Sequence, residues 1–235
     1  MHRDYCLIDA HCHFNQQSII NQTELQTFWQ ESDYRVFFSS IIQRSDLDIV
    51  LPNGRLYFQA GLHPYLYFEH THDYMLNDLA DFCSQKKISA IGECGLDYRY
   101  GNHEEQMKLL LPQLELAEAF NLPVIFHCVK AYYDLANIVK KNFPKIRGIL
   151  HGFNANCEIT DLFKGTDLFY AISSRLFLPH IQADLLKYLI HTGRYVFETD
   201  VELNLFRTAQ EVIEKYKYTH IMFDWICTHN DQVSY

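Results

Sequence analysis

Two histidines one residue apart, His11 and His13, follow the apolar run Leu7-Ile8-Asp9-Ala10. Side chains alternate along a strand, so both imidazoles point to one side and Cys12 points to the other. Two rings so placed can converge on one cation. Comparable residues follow other apolar runs. Glu93 comes after Ile88 to Gly92, His127 after Val124-Ile125-Phe126, and His151 after Gly148-Ile149-Leu150. Asp200 comes just after Tyr195-Val196-Phe197. Each has an ordinary explanation when taken singly: a core histidine, a carboxylate paired to an arginine, a helix N-cap. A carboxylate at the end of an apolar run is costly to bury unless it is paired or bound to a metal. Together the six side chains are the nitrogen and oxygen donors of two divalent cations of the Mg, Mn or Zn class.

The apolar runs are short and lie between longer amphipathic stretches. Leu7 to Ala10, Val36 to Ile41, Leu56 to Leu62 and Ile88 to Gly92 read as strands, as do Val124 to Phe126, Gly148 to Leu150, Leu168 to Ile172 and Tyr195 to Phe197. Continuous apolar runs suit strands covered on both faces, as in a parallel sheet. Helical spacing appears over Asp73 to Gln85, Glu104 to Phe120, Tyr133 to Lys141, His180 to Ile190 and Leu205 to Tyr216. Pro112 lies inside the second of these and predicts a kink or a late start. Eight strand-helix units predict an α/β fold, a TIM-type (β/α)8 barrel, built as a single domain over residues 1–235. Its metal site is expected at the C-terminal face of the strands.

The 235 residues are 48% apolar, enough for one well-buried core. No run of about 18 apolar residues is present, and the N-terminus has no apolar leader, so no membrane partner and a cytoplasmic location are expected. Seven scattered cysteines without a C-x-x-C pair read as reduced, buried thiols. Cys12, Cys94 and Cys128 neighbour candidate ligands, but strand alternation turns them away from the site. No G-x-G-x-x-G or Walker A sequence occurs, which argues against a nucleotide cofactor. A formal net charge of −9 argues against broad adhesion to nucleic acid but not against a nuclease, because bound cations can reverse the potential inside a cleft. Arg44, Arg99, Lys130 and Arg175 each follow a strand end and could form a basic rim for a polyanion. Tyr98, Tyr100, Tyr132 and Tyr133 share those loops, where they could stack on unpaired bases or anchor the loops.

The chain resembles the TatD family of metal-dependent deoxyribonucleases, within the amidohydrolase-type barrels. The resemblance rests on Asp9-Ala10-His11-Cys12-His13, Gly61-Leu62-His63-Pro64 and Gly92-Glu93-Cys94-Gly95-Leu96-Asp97-Tyr98. It continues through Leu122-Pro123-Val124-Ile125-Phe126-His127 and His151-Gly152-Phe153 to Glu198-Thr199-Asp200. It implies two divalent ions, with His11, His13, Glu93 and Asp200 at one, His127 and His151 at the other, and Glu93 as the bridge. Asp200 and Glu93 are then the catalytic carboxylates, Asp200 taking a proton from a metal-activated water. The implied substrate is DNA, single-stranded or accessible at an end. His63 is expected to hold a phosphate or to support the ligands rather than to bind metal.

The pattern departs from the family on its loops. Val129 and Lys130 stand where an arginine is usual, Gly152 follows His151, and Val201-Glu202-Leu203-Asn204 follows Asp200. Ile221 to Trp225 matches nothing in the pattern. Metal-dependent hydrolysis of an ester is therefore the firmer expectation. The same metal site acting on another ester or an amide, as in a D-aminoacyl-tRNA deacylase-like or small-phosphoester reaction, is the alternative, and a non-catalytic binding barrel the third reading.

Overall fold

The computed structural model describes residues 7–13, 27, 34–40, 55–68, 72–173, 183–200 and 214. The chain forms two compact units, one of Phe58–Ala171 and one of the two flanking segments, Met1–Tyr57 and Ile172–Tyr235.

The central unit is a run of parallel strands in sequential order. It holds the end of β3 (Arg55–Ala60), then β4 (Ala90–Asp97), β5 (Val124–Val129), β6 (Arg147–Leu150) and β7 (Asp167–Ile172) up to Ala171. Helices α1 (His72–Ser84), α2 (His103–Phe120), α3 (Tyr132–Asn142) and α4 (Cys157–Leu162) connect them. One row runs straight across the strands: Ala60 pairs with Ile91, Ile91 with Val124, Val124 with Gly148 and Gly148 with Leu168. His63, His127 and His151 therefore lie equally far along their strands, each three residues past this row.

The core follows from the composition of these segments. Ile91, Leu96, Val124, Phe126 and Leu150 are buried on the strands. Leu109, Leu110, Leu114 and Ala117 are buried on α2, and Leu135, Ile138 and Val139 on α3. α2 ends at Asn121, whose left-handed backbone (φ 53°) lets its N–H reach back to the last turn. α4 starts at Asn156, whose side chain accepts from the Ile159 N–H at 2.9 Å.

α2 begins at His103 and runs through Pro112, so there is no late start. The amide that proline lacks would have bonded the carbonyl of Lys108. Lys108 is exposed, so water can take that place.

In the flanking unit, β1 (Leu7–Cys12) pairs in parallel with β2 (Tyr34–Ser40). α5 (Ala183–Thr192) leads to β8 (Tyr195–Phe197), which packs beside β1. The Glu198 N–H donates to the Ile172 carbonyl, and the Asp200 N–H donates to the His11 carbonyl. First and last strands are thus neighbours. The expected start of α5 at His180, most of the expected helix Leu205 to Tyr216, and the segment Ile221 to Trp225 lie outside the described residues.

Candidate metal centre

In the central unit, four strand ends deliver His63, Glu93, His127 and His151 to one place. Their common point is one carboxylate oxygen. Glu93 Oε1 lies 2.7 Å from His127 Nδ1, 3.5 Å from His151 Nε2 and 3.7 Å from His63 Nε2. All four side chains are largely buried.

Local strand geometry explains how Glu93 reaches this point. Gly92 pairs with Ile125 and Cys94 with Phe126, so Glu93 is an extra residue with no opposite number on β5. A bulge of this kind re-aims a side chain and is common beside active sites. Glycines on either side make it fit. Gly92 has φ 144°, and a Cβ there would lie 2.5 Å from the Ile125 carbonyl oxygen. Gly95 has φ 154°, and a Cβ there would meet the His127 carbonyl oxygen at 1.9 Å. No other residue type tolerates both the conformation and the approach.

His127 and His63 are each oriented through a second nitrogen. His127 Nε2 lies 3.0 Å from Asp97 Oδ2. Asp97 is fully buried and also accepts from Arg99, through Nε (2.9 and 3.1 Å) and Nη2 of its side chain and through its backbone N–H (3.0 Å). Burial alone would raise the Asp97 pKa, but the Arg99 and His127 hydrogen bonds outweigh it and hold the carboxyl at about 2. His63 Nδ1 accepts the Tyr65 N–H at 3.2 Å, so the proton of the neutral ring sits on Nε2. Burial, reinforced by the neighbouring His127, lowers the His63 pKa to about 4 against the opposing pull of Glu93 and Asp97. His63 is therefore a neutral N–H donor near pH 7.

The flanking unit holds a second set. His11 Nε2 and His13 Nε2 face each other at 3.0 Å, the rings meeting edge to face. Asp200 Oδ1 lies 4.0 Å from His11 Nε2 and 3.8 Å from His13 Nε2. Asp200 takes a left-handed backbone (φ 51°), held by its N–H bond to the His11 carbonyl. The preceding residue is pinned as well: buried Asp9 accepts from the Thr199 N–H at 2.9 Å and from its hydroxyl at 2.6 Å.

These donor sets fit divalent cations. Lone pairs of two imidazoles and a carboxylate converge in the flanking unit. In the central unit, the Glu93 carboxylate oxygen Oε1 faces ring nitrogens of His127 at 2.7 Å and His151 at 3.5 Å. Imidazole and carboxylate donors without thiolate suit Zn, Mn or Mg. Cys12, Cys94 and Cys128 are buried, and burial pushes the Cys94 and Cys128 thiols well above the usual range.

The remaining expected contacts separate into two groups. Arg99 is half exposed but its guanidinium is paired with Asp97, while Lys130 stands exposed just past β5. Arg44 and Arg175 lie outside the described residues. Tyr98 is an anchor: its hydroxyl donates to Asp134 and its ring stacks on His103. Tyr132 packs against Phe153, whereas Tyr100 and Tyr133 are exposed.

Sequence reading passed over Asp97, Asp9 and Gln106. The Gln106 side chain accepts from the Asp97 N–H at 2.7 Å and donates to the Asp97 carbonyl at 2.8 Å. For Asp97 a signal existed, since Glu93, Gly95 and Asp97 alternate along one strand.

Residues 8–221 match the family described as TatD related DNase. The metal-dependent hydrolase YjjV of Escherichia coli K12 is 30% identical over 167 residues, covering 66% of this chain and 63% of its own. The 3'-5' ssDNA/RNA exonuclease TatD of Pantoea ananatis is 34% identical over 102 residues, covering 42% of this chain and 39% of its own. The chain thus spans less than two thirds of the length of these curated relatives. The crystal structure of YjjV, a TatD homolog from Escherichia coli K12, matches with a TM-score of 0.71 at 25% identity, over 91% of this chain and 88% of that one. A TatD family hydrolase from Entamoeba histolytica matches with a TM-score of 0.67 at 21% identity, over 83% and 73%. Sequential parallel strands with covering helices and these structural likenesses give the TIM-type (β/α)8 fold class. The chain belongs to the TatD-related DNase family.

Proposed function

We propose that this protein is a metal-dependent hydrolase that cleaves DNA phosphodiester bonds. The observation that carries the reading is the buried Glu93 oxygen facing three imidazoles at strand ends of the central unit. The name of the Pantoea relative, an exonuclease of single-stranded DNA and RNA, supports a single-stranded or end-accessible substrate. We take residues 1–235 as one barrel domain. The buried thiols of Cys83, Cys94 and Cys128 suit the reducing cytoplasm.

In this reading His11, His13, Glu93, His127, His151 and Asp200 are the ligands of two divalent cations, Mg, Mn or Zn. Bound there, such ions would acidify a water and neutralise charge on the phosphoryl oxygens. The protein's own groups do the rest. Asp200 orients the attacking water and takes its proton on a carboxylate oxygen. The water oxygen bonds to phosphorus while a P–O ester bond breaks, and the proton held by Asp200 balances the one the departing sugar oxygen takes up from solvent. Glu93 presents the carboxylate oxygen that the His63, His127 and His151 rings face. His63 donates from Nε2 to a phosphoryl oxygen, and exposed Lys130 adds charge for the chain beyond it.

The test is cleavage of single-stranded, double-stranded and end-blocked oligonucleotides with Mg²⁺ or Mn²⁺, for the wild type and Asp200→Asn. The substitution keeps the size of the side chain but removes the base, and should lower kcat by about 10²- to 10⁴-fold. An Asp200→Asn protein as active as the wild type would overturn the assignment.

A further inference from the structure

His127 has a carboxylate at each ring nitrogen: Glu93 at Nδ1, 2.7 Å away, and Asp97 at Nε2, 3.0 Å away. The two carboxylates are not equivalent. Glu93 sits in a bulge, shares its oxygen with His63 and His151, and belongs to the ligand cluster. Asp97 is fully buried and its surroundings fix it completely. Gln106 clamps its backbone N–H and carbonyl, and Arg99 bonds both carboxylate oxygens. A histidine that ligates a metal usually donates its other N–H to a carboxylate, which sets the tautomer and the ring orientation.

We propose that Asp97 is the positioning residue of His127: it holds the Nε2–H, so that the ring offers Nδ1 to a cation on the Glu93 side, and Arg99 serves to lock Asp97 rather than to grip substrate. The inference rests on the reading of His127 as a metal ligand. It revises the expectation for Arg99, whose guanidinium faces Asp97 and whose own N–H also donates to Asp97 Oδ1.

An asparagine at 97 cannot satisfy this arrangement. With its oxygen at the Oδ1 position, its amide N–H₂ points at His127 Nε2 and demands the opposite tautomer. With its oxygen at the Oδ2 position, the N–H₂ meets the Arg99 N–H and Nε–H, donor against donor. Either outcome weakens the metal site without touching a ligand.

The experiment measures zinc affinity of the full chain by competition with a chromophoric chelator. Wild type, His127→Gln, Asp97→Asn and Arg99→Gln are compared, with circular dichroism confirming that each is folded. Asp97→Asn should weaken zinc binding about 10- to 100-fold, and Arg99→Gln should weaken it in the same direction by less. In zinc-loaded protein labelled with ¹⁵N-histidine, the His127 signals should show Nε2 protonated and Nδ1 in the metal-bound range. The signals are assigned by their loss in His127→Gln. Should Asp97→Asn fail to fold, Arg99→Gln and the ring-nitrogen spectrum still decide. Zinc affinity unchanged in Asp97→Asn while lost in His127→Gln, or zinc on Nε2, overturns this inference alone. Affinity unchanged in His127→Gln overturns the ligand reading beneath it. A wild type that binds zinc as described but cleaves no DNA overturns only the substrate.

Discussion

His63 shows how one hydrogen bond decides what a residue can do. By position it sits among the proposed ligands, 3.7 Å from the Glu93 oxygen. A ring nitrogen must present a lone pair to bind a cation, and the only lone pair of His63 is occupied by the Tyr65 N–H. Burial keeps the ring neutral down to about pH 4, so at working pH it offers an N–H. His63→Ala should therefore leave zinc affinity where it was and lower kcat/KM on DNA. A hydrogen bond to a charged phosphoryl oxygen contributes about 1.5–3 kcal/mol, or roughly 10- to 150-fold. Chelator competition alongside steady-state kinetics separates the two effects, and a parallel loss of zinc would make His63 a ligand instead.

At the scale of elements, α2 does more than cover the sheet. Gln106 and Gln113 are both fully buried and lie two turns apart on one face. Gln106 binds the backbone of Asp97 at the end of β4. Gln113 accepts from the Leu62 N–H at 2.7 Å and donates to the Leu62 carbonyl at 3.1 Å, just before His63. One helix thus sets the height of two loops that carry site residues. Gln113→Leu keeps the volume but strands both Leu62 backbone groups, and should cost about 3 kcal/mol in urea unfolding. A loss below about 0.5 kcal/mol would show that Leu62 finds other partners. This coupling was not legible in the sequence, whereas the proposed ligands were. His11, Glu93, His127 and His151 end apolar runs, and the two-residue period of a strand carries that information locally. The partner of Gln113 is 51 positions away, and no local pattern encodes it. The bulge that turns Glu93 inward was equally hidden, because it exists only as a count of residues against β5.

For the whole molecule the difficulty with the proposed nuclease activity is charge: a protein of formal net charge −9 would have to hold a polyanion. Just past β4 and β5, Arg99 is paired with Asp97, which leaves exposed Lys130 as the basic contact there. Stacking supplies attraction that does not depend on charge, and three tyrosines are placed for it. Tyr65, Tyr100 and Tyr133 are 44%, 49% and 64% exposed, just past the ends of β3, β4 and β5. Tyr65 also packs on the His63 ring at 4.4 Å. Stacking one base contributes about 1–3 kcal/mol, roughly 5- to 150-fold. Tyr133→Ala should raise KM for a single-stranded oligonucleotide within that range. It should leave hydrolysis of bis(p-nitrophenyl) phosphate, which has no base, unchanged. A change on both substrates would mean that Tyr133 shapes the metal site, and a change on neither would move the polymer elsewhere on the surface. Equal efficiency on the oligonucleotide and on small phosphoesters, insensitive to all three tyrosines, would favour the small-ester reading over the nuclease.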